Sequence, residues 1–228
     1  MPNIINMFPL SVYREAMPID PAYQAQLVQA VLEMAAGSDR RTSAKWAWTG
    51  DVSGYEFLHN DELFAPLFAQ FAPHLRAYLE MLSVRPEKLN LYYTRSWATV
   101  SRGQEAIKSH RHVQSHISVV YYIKKPPESG AIRFNNHDRA NEFAPQLFEE
   151  PMFKAGVVNT VLETNTNAVF VDAREGDILI FPSKTSHATT ESKAAEPRIS
   201  IAIDILTTLK DSARLEHLLP NPKQWKAI

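Results

Sequence analysis

The chain has 228 residues, 45% of them hydrophobic, enough for one large domain with a substantial core. Its 24 basic and 25 acidic residues nearly cancel, so no charged field favours a nucleic-acid partner. The absence of cysteine excludes disulfides, thiolate zinc sites and cysteine nucleophiles, and leaves His, Asp and Glu to hold any metal.

The opening MPNIINMFPLSVY lacks the basic start and long apolar core of a signal peptide. No apolar run is long enough to span a bilayer, so a cytoplasmic protein without a membrane partner is expected. Asp20-Pro21 reads as an N-cap followed by proline at the first helical position. Tyr23, Leu27, Val28, Val31, Leu32 and Ala35 then recur at helical spacing, and Gly37 is a natural stop. Trp46 and Trp48, in KWAWTG, lie on the connection that follows and are read as a lid. A second helix is expected from about 61 to 82, with Leu67, Phe68, Phe71, Leu75, Tyr78, Leu79 and Leu82 on its apolar face. Pro66 and Pro73 inside that pattern predict a late start or a kink.

From Leu89 the period changes. LNLYYTRSWATV, HISVVYYIK, AIRF, NAVFVDA, GDILIFPS and RISIAIDIL are short strands separated by turn clusters such as KKPPESG and REG. Strands in succession without intervening helices predict a mainly β fold, an antiparallel sandwich or jelly-roll barrel with the N-terminal helices packed outside. A single domain over 1–228 is expected: a helical part to about 85, a barrel core over about 89–207, and a short C-terminal helix over about 211–219. The stretch from 136 to 156 is long and irregular, as functional or mobile loops are.

Within SHRHVQSHISVVYYIK, three of the chain's eight histidines fall within seven residues. On a strand, His110 and His112 share a face, and two imidazoles so placed suit a first-row divalent metal. His116 has the same parity, but only if no turn intervenes at Val113-Gln114-Ser115. Downstream, Gly176-Asp177 marks a turn, Ile178 to Phe181 a buried strand, and His187 opens the next strand after Pro182. Ten residues separate His187 from Arg198, and Arg198 shares a strand face with Ser200. A buried arginine needs an anionic partner, either an internal carboxylate or a ligand. Its planar fork, with a serine hydroxyl beside it, suits a carboxylate bidentately.

Taken together, His-x-His, a strand, a distal histidine and Arg-x-Ser resemble the Fe(II)/2-oxoglutarate-dependent oxygenases of the double-stranded β-helix. The pattern is most similar to a group with an early FP segment, here MFPLSVY; the likeness is strongest from Trp97 to Ile205. The resemblance implies Fe(II), 2-oxoglutarate as cosubstrate and O2. It implies metal ligation by His110, His112 and His187, and binding of the far 2-oxoglutarate carboxylate by Arg198 and Ser200. Position 112 departs from the superfamily's usual acid. Two arrangements therefore stand: three histidines, or fewer histidines with a carboxylate such as Glu105 or Asp138. Of the two tyrosines after the motif, one should face the barrel interior; Tyr121 is assigned to the 2-oxoglutarate carboxylate. Trp97, Tyr122, His116, Arg133 and His137 are weaker candidates for contact with substrate.

The activity so implied is hydroxylation of an unactivated C–H bond of a small molecule, amino acid or peptide, with release of succinate and CO2. Two other readings fit parts of the pattern. A three-histidine cupin-type dioxygenase or isomerase that needs no 2-oxoglutarate explains the His-x-His pair, and explains Arg198 and Ser200 only if its substrate is itself a carboxylate. A jelly-roll module that binds a small acid or sugar without catalysis predicts weak or no metal binding and a ligand affinity indifferent to loss of His187. Substrate identity and oligomeric state are not written in the sequence.

Overall fold

Asp20 starts the first helix: its carboxylate accepts from the backbone N–H of Ala22 and of Tyr23, both at 3.0 Å, satisfying two donors that the helix cannot. In this computed structural model, which describes residues 4–38 and 45–228, that helix is α1 (Pro21–Gly37). The first three residues of the opening segment lie outside the described residues. The second helix, α2 (Ala65–Met81), starts late because Pro66 is tolerated only in the first turn, where its missing N–H has no partner to lose. Among the described residues no helix is long and apolar enough to cross a membrane.

The strands are β1 (Tyr13–Ala16), β2 (Trp48–Thr49), β3 (Leu89–Ser101), β4 (Ile117–Lys124), β5 (Ile132–Asn135), β6 (Ala168–Val171), β7 (Asp177–Pro182), β8 (His187–Thr189) and β9 (Arg198–Leu209). They form two antiparallel sheets, one in the order β1-β7-β4-β9-β3-β2 and one in the order β6-β5-β8. The protein is mainly β, a jelly-roll double-stranded β-helix with α1 and α2 packed outside. The N-terminal third, read as helical, also carries β1 and β2, which extend the large sheet at its two edges.

Alternation along the central strands divides the molecule in two. On β9, Ile199, Ile201, Ile203 and Ile205 face the helices and share one apolar cluster with Leu27, Val31, Leu67, Phe71 and Leu75. Arg198, Ser200, Ala202 and Asp204 point the other way. Register carries the same split across the sheet: Thr99 on β3 and Tyr122 on β4 both pair with Ser200. One face of the large sheet is therefore a helix-covered core. The other face, opposed by the small sheet, lines a cavity.

Two expectations are corrected. Residues 211–219 are not helical: Arg214 and Leu218 adopt left-handed backbone at φ 65° and 74°, which no right-handed helix contains. Leu215 and Leu218 are exposed, so a helix there would have no apolar face to bury. Leu219 instead returns to β9, accepting from the Leu209 N–H at 2.9 Å. The tryptophans of KWAWTG form no lid. Trp48 is buried in the helix-side core and Trp46 stacks under Lys108, whose Nζ lies 4.4 Å from the ring centroid. Their neighbours Thr49 and Asp51 line the cavity instead. The irregular stretch after β5 is observed, interrupted only by the single-turn helix α3 (Glu150–Lys154).

Candidate active site

The cavity between the sheets has a volume of about 270 Å³. His110, His112 and His187 meet at it, their ligand atoms all within 4.8 Å of one another. The bend at Val113 and Gln114 ends the extended run before β4, so the two upstream histidines are not on a regular strand. They are held extended by backbone pairing: His110 forms an antiparallel bridge with His187, and the His112 N–H donates to the Ser183 carbonyl at 3.0 Å. That pairing brings residues 77 apart in sequence side by side.

Each imidazole is fixed through Nδ1. That atom of His110 bonds the Lys108 carbonyl at 2.8 Å, that of His187 the Thr185 carbonyl at 2.9 Å, and that of His112 the Asp204 carboxylate at 2.5 Å. Carbonyl and carboxylate oxygens only accept, so all three rings carry a proton on Nδ1 and turn Nε2 away from these partners. This is the tautomer a metal ligand requires, and the oxygens that set it are the usual outer partners of ligating histidines. Burial, reinforced by His110, pushes His187 down to about 3; burial also lowers His110. Both are neutral at physiological pH. The rings of Phe134 and Phe181 pack against His187, with centroids 6.4 and 5.0 Å away.

Because His187 resists protonation when folded, the metal-free protein should lose stability in acid. Below pH 6.5 the unfolded chain binds a proton there that the folded chain refuses until about pH 3. The expected loss from this group is about 1.4 kcal/mol per pH unit through that window. Urea unfolding of chelator-treated protein at pH 7.5, 6.0 and 5.0 checks it, and His187→Gln should flatten the dependence.

Farther into the cavity lies Arg198, only 2% exposed. Its Nη1 donates to the Ser129 carbonyl at 2.8 Å, and its Nη2 to Ser101 Oγ at 2.9 Å and Thr189 Oγ1 at 3.0 Å. Every partner is neutral, and among the described residues no carboxylate pairs with it. Gly130 lets Ser129 reach this position: a Cβ there would sit 2.5 Å from the Thr190 carbonyl, and its φ is +84°. Beside Arg198, Ser200 Oγ and Thr99 Oγ1 lie 2.6 Å apart. Tyr122, 2% exposed, completes this end; burial raises its phenol to about 12 against the opposing pull of Arg198, so it is a neutral hydroxyl. A buried guanidinium with only neutral partners, opening on a cavity, is a site for an anion.

The structure reverses the two tyrosines. Tyr121 points to the helices, donates to the Met17 carbonyl at 3.0 Å and packs edge-on against Phe71; it does not reach the cavity. The even parity of Arg198, Ser200 and Tyr122 across paired strands decides this. Three weaker candidates also lie elsewhere. His116 is turned away by the bend before β4 and bonds Thr207 Oγ1 at 2.7 Å. Arg133 lies over the Phe170 ring at 5.8 Å, on the face of β5 opposite the cavity-lining Ile132. His137 is exposed in the loop after β5. Trp97 does line the cavity, stacked on His112 at 5.5 Å with the Arg95 guanidinium 5.3 Å from its ring. Neither Glu105 nor Asp138 joins the histidine cluster: Glu105 accepts from the Arg102 N–H at 2.8 Å, and Asp138 is exposed. The residues not singled out from sequence are Asp204, Thr99, Ser101, Ser129 and Thr189. Asp204 and Thr99 were within reach, since each shares the period-2 face of a quoted strand.

Residues 95–204, which contain both upstream histidines, His187, Arg198 and Asp204, match the family described as "Putative 2OG-Fe(II) oxygenase". Over that segment, just under half of the chain, the sequence is similar to the 2OG-Fe(II) oxygenases. No curated protein matches the chain by sequence. Solved structures with the same fold include the non-heme alpha ketoglutarate dependent epimerase SnoN from nogalamycin biosynthesis, at TM-score 0.56 and 15% identity over 96% of this chain and 87% of that one. The carbocyclase SnoK from the same biosynthesis has TM-score 0.56 and 11% identity over 92% and 87%. A prolyl-4-hydroxylase from Pseudomonas putida has TM-score 0.53 and 11% identity over 86% and 92%. At these identities the likeness is one of fold, and the fold carries more than one chemistry.

Proposed function

We propose that this protein is a 2OG-Fe(II) oxygenase that hydroxylates a C–H bond of a small molecule or peptide. The observation that carries the reading is a buried, carboxylate-free Arg198 in the same cavity as three converging imidazoles. The donor set fits iron, which imidazole nitrogen suits. His110, His112 and His187 would hold it. When bound, the iron centre supplies the oxidation: 2-oxoglutarate and O2 become succinate and CO2, and the second oxygen atom enters the substrate C–H bond.

The chain's own residues do the positioning. Arg198 and the Ser200 hydroxyl would bond the far carboxylate of 2-oxoglutarate, with the Tyr122 phenol closing that end. Phe134 and Phe181, packed against His187, would keep the histidine side dry, which protects the reaction from water. Trp97, Arg95 and Asp51 line the cavity and would meet substrate. Hydroxylation needs no further group from the protein, unlike an outcome that redirects the substrate after its C–H bond breaks.

Anaerobic addition of Fe(II) and then 2-oxoglutarate should produce the visible charge-transfer band of the chelated keto acid. Iron binding without that band would replace this reading by a dioxygenase that needs no 2-oxoglutarate; absence of iron binding would remove the metal altogether. A second expectation separates the tyrosines. Tyr122→Phe should raise the KM for 2-oxoglutarate several-fold, by about 1 kcal/mol for one lost hydrogen bond. Tyr121→Phe should leave that KM unchanged and lower only thermal stability, read by succinate release and melting curves on both variants.

A further inference from the structure

We propose that Asp204 is a positioning residue that supplies, through His112, the negative charge an all-histidine iron site lacks. The inference rests on the iron reading above. Asp204 is 0% exposed, on the cavity-facing row of β9. Its Oδ1 accepts from His112 Nδ1 at 2.5 Å and from Ser115 Oγ at 2.9 Å, and its Oδ2 from Gln114 Nε2 at 3.2 Å. Among the described residues its one ion-pairing partner is His112; Arg95, opposite it in the β3–β9 register, pairs with Asp51 instead.

A carboxylate buried without a cation is costly. A divalent cation on the far nitrogen of His112 would place a counter-charge one imidazole away from it. The three histidines differ in this respect: His110 and His187 lean on main-chain carbonyls, and His112 alone leans on a carboxylate. Usual sites of this kind have two imidazoles and one carboxylate on the metal. Here the carboxylate stands one imidazole away. It makes His112 a more basic, more electron-donating ligand and locks its Nε2 lone pair inward. This answers where the acid absent from position 112 has gone.

The test compares wild type with Asp204→Asn, which keeps shape and removes charge. Calorimetric titration with Co(II) should show binding about ten- to a hundredfold weaker in the variant. With Fe(II) and 2-oxoglutarate under argon, the charge-transfer band should move to shorter wavelength, because a less electron-rich iron gives up its electron less readily. A merely structural role would not move that band. Equal Co(II) affinity and an unshifted band in a folded variant overturn the proposal while the iron reading stands. Failure of wild type to bind metal takes both down. If Asp204→Asn does not fold, long-range 1H–15N spectra of metal-free wild type decide instead: His112 protonated on Nδ1 supports the proposal, and protonated on Nε2 overturns it.

Discussion

Replacing Arg198 by methionine should abolish the charge-transfer band while leaving iron binding intact. Methionine fills most of the volume, so the change removes charge and donors rather than packing. The guanidinium is the buried cation of this cavity end, and its partners are two hydroxyls and a carbonyl. Truncating one member of a buried, hydrogen-bonded charge pair costs about 2–5 kcal/mol, so the dissociation constant for 2-oxoglutarate should rise by about thirtyfold to several thousandfold. The Ser129 carbonyl and two hydroxyls would lose a donor, and some loss of stability is expected alongside, about 1–3 kcal/mol. Calorimetry with Co(II) separates the two effects. Metal affinity within a few-fold of wild type, with 2-oxoglutarate binding gone, assigns Arg198 to the cosubstrate. Retained 2-oxoglutarate affinity would mean the guanidinium is structural.

Replacing His187 by alanine should remove metal binding, by more than about a hundredfold, since a whole ligand is lost and not merely its outer partner. His116→Ala is the matched control. It lies in the same histidine-rich stretch, yet its ring bonds Thr207 on the far side of the bend. Metal affinity should be unchanged in it. Equal losses in both variants would show that the histidines contribute only generally to the fold. A loss confined to His187→Ala would confirm that convergence in space, not density in sequence, selects the ligands.

Much of the architecture is legible in local sequence signals. The Asp20 cap, the Pro66-delayed start of α2 and the strand at Ile178–Phe181 are local signals that tertiary contacts did not override. The C-terminal helix failed because local propensity in residues 211–219 had no buried face to support it. The error over Tyr121 and Tyr122 has a different origin. Alternation states that adjacent residues face opposite ways, but not which face is the cavity. Only the pairing of Tyr122 with Ser200 fixes that.

For the histidines, sequence supplied the residue types and the spacing, and hence the chemistry they permit. It could not state that His110 and His187 pair as backbone neighbours, because that contact spans 77 residues and depends on the closure of two sheets. Asp204 shows the same limit. Its parity in RISIAIDI placed it on the cavity face, but its role comes from meeting His112 across 92 residues. The sequence by itself determined the alternation that makes one face of the large sheet apolar and the other polar. The tertiary structure decided which polar residues meet, because burial forces each charge and each donor on that face to find its partner within the cavity.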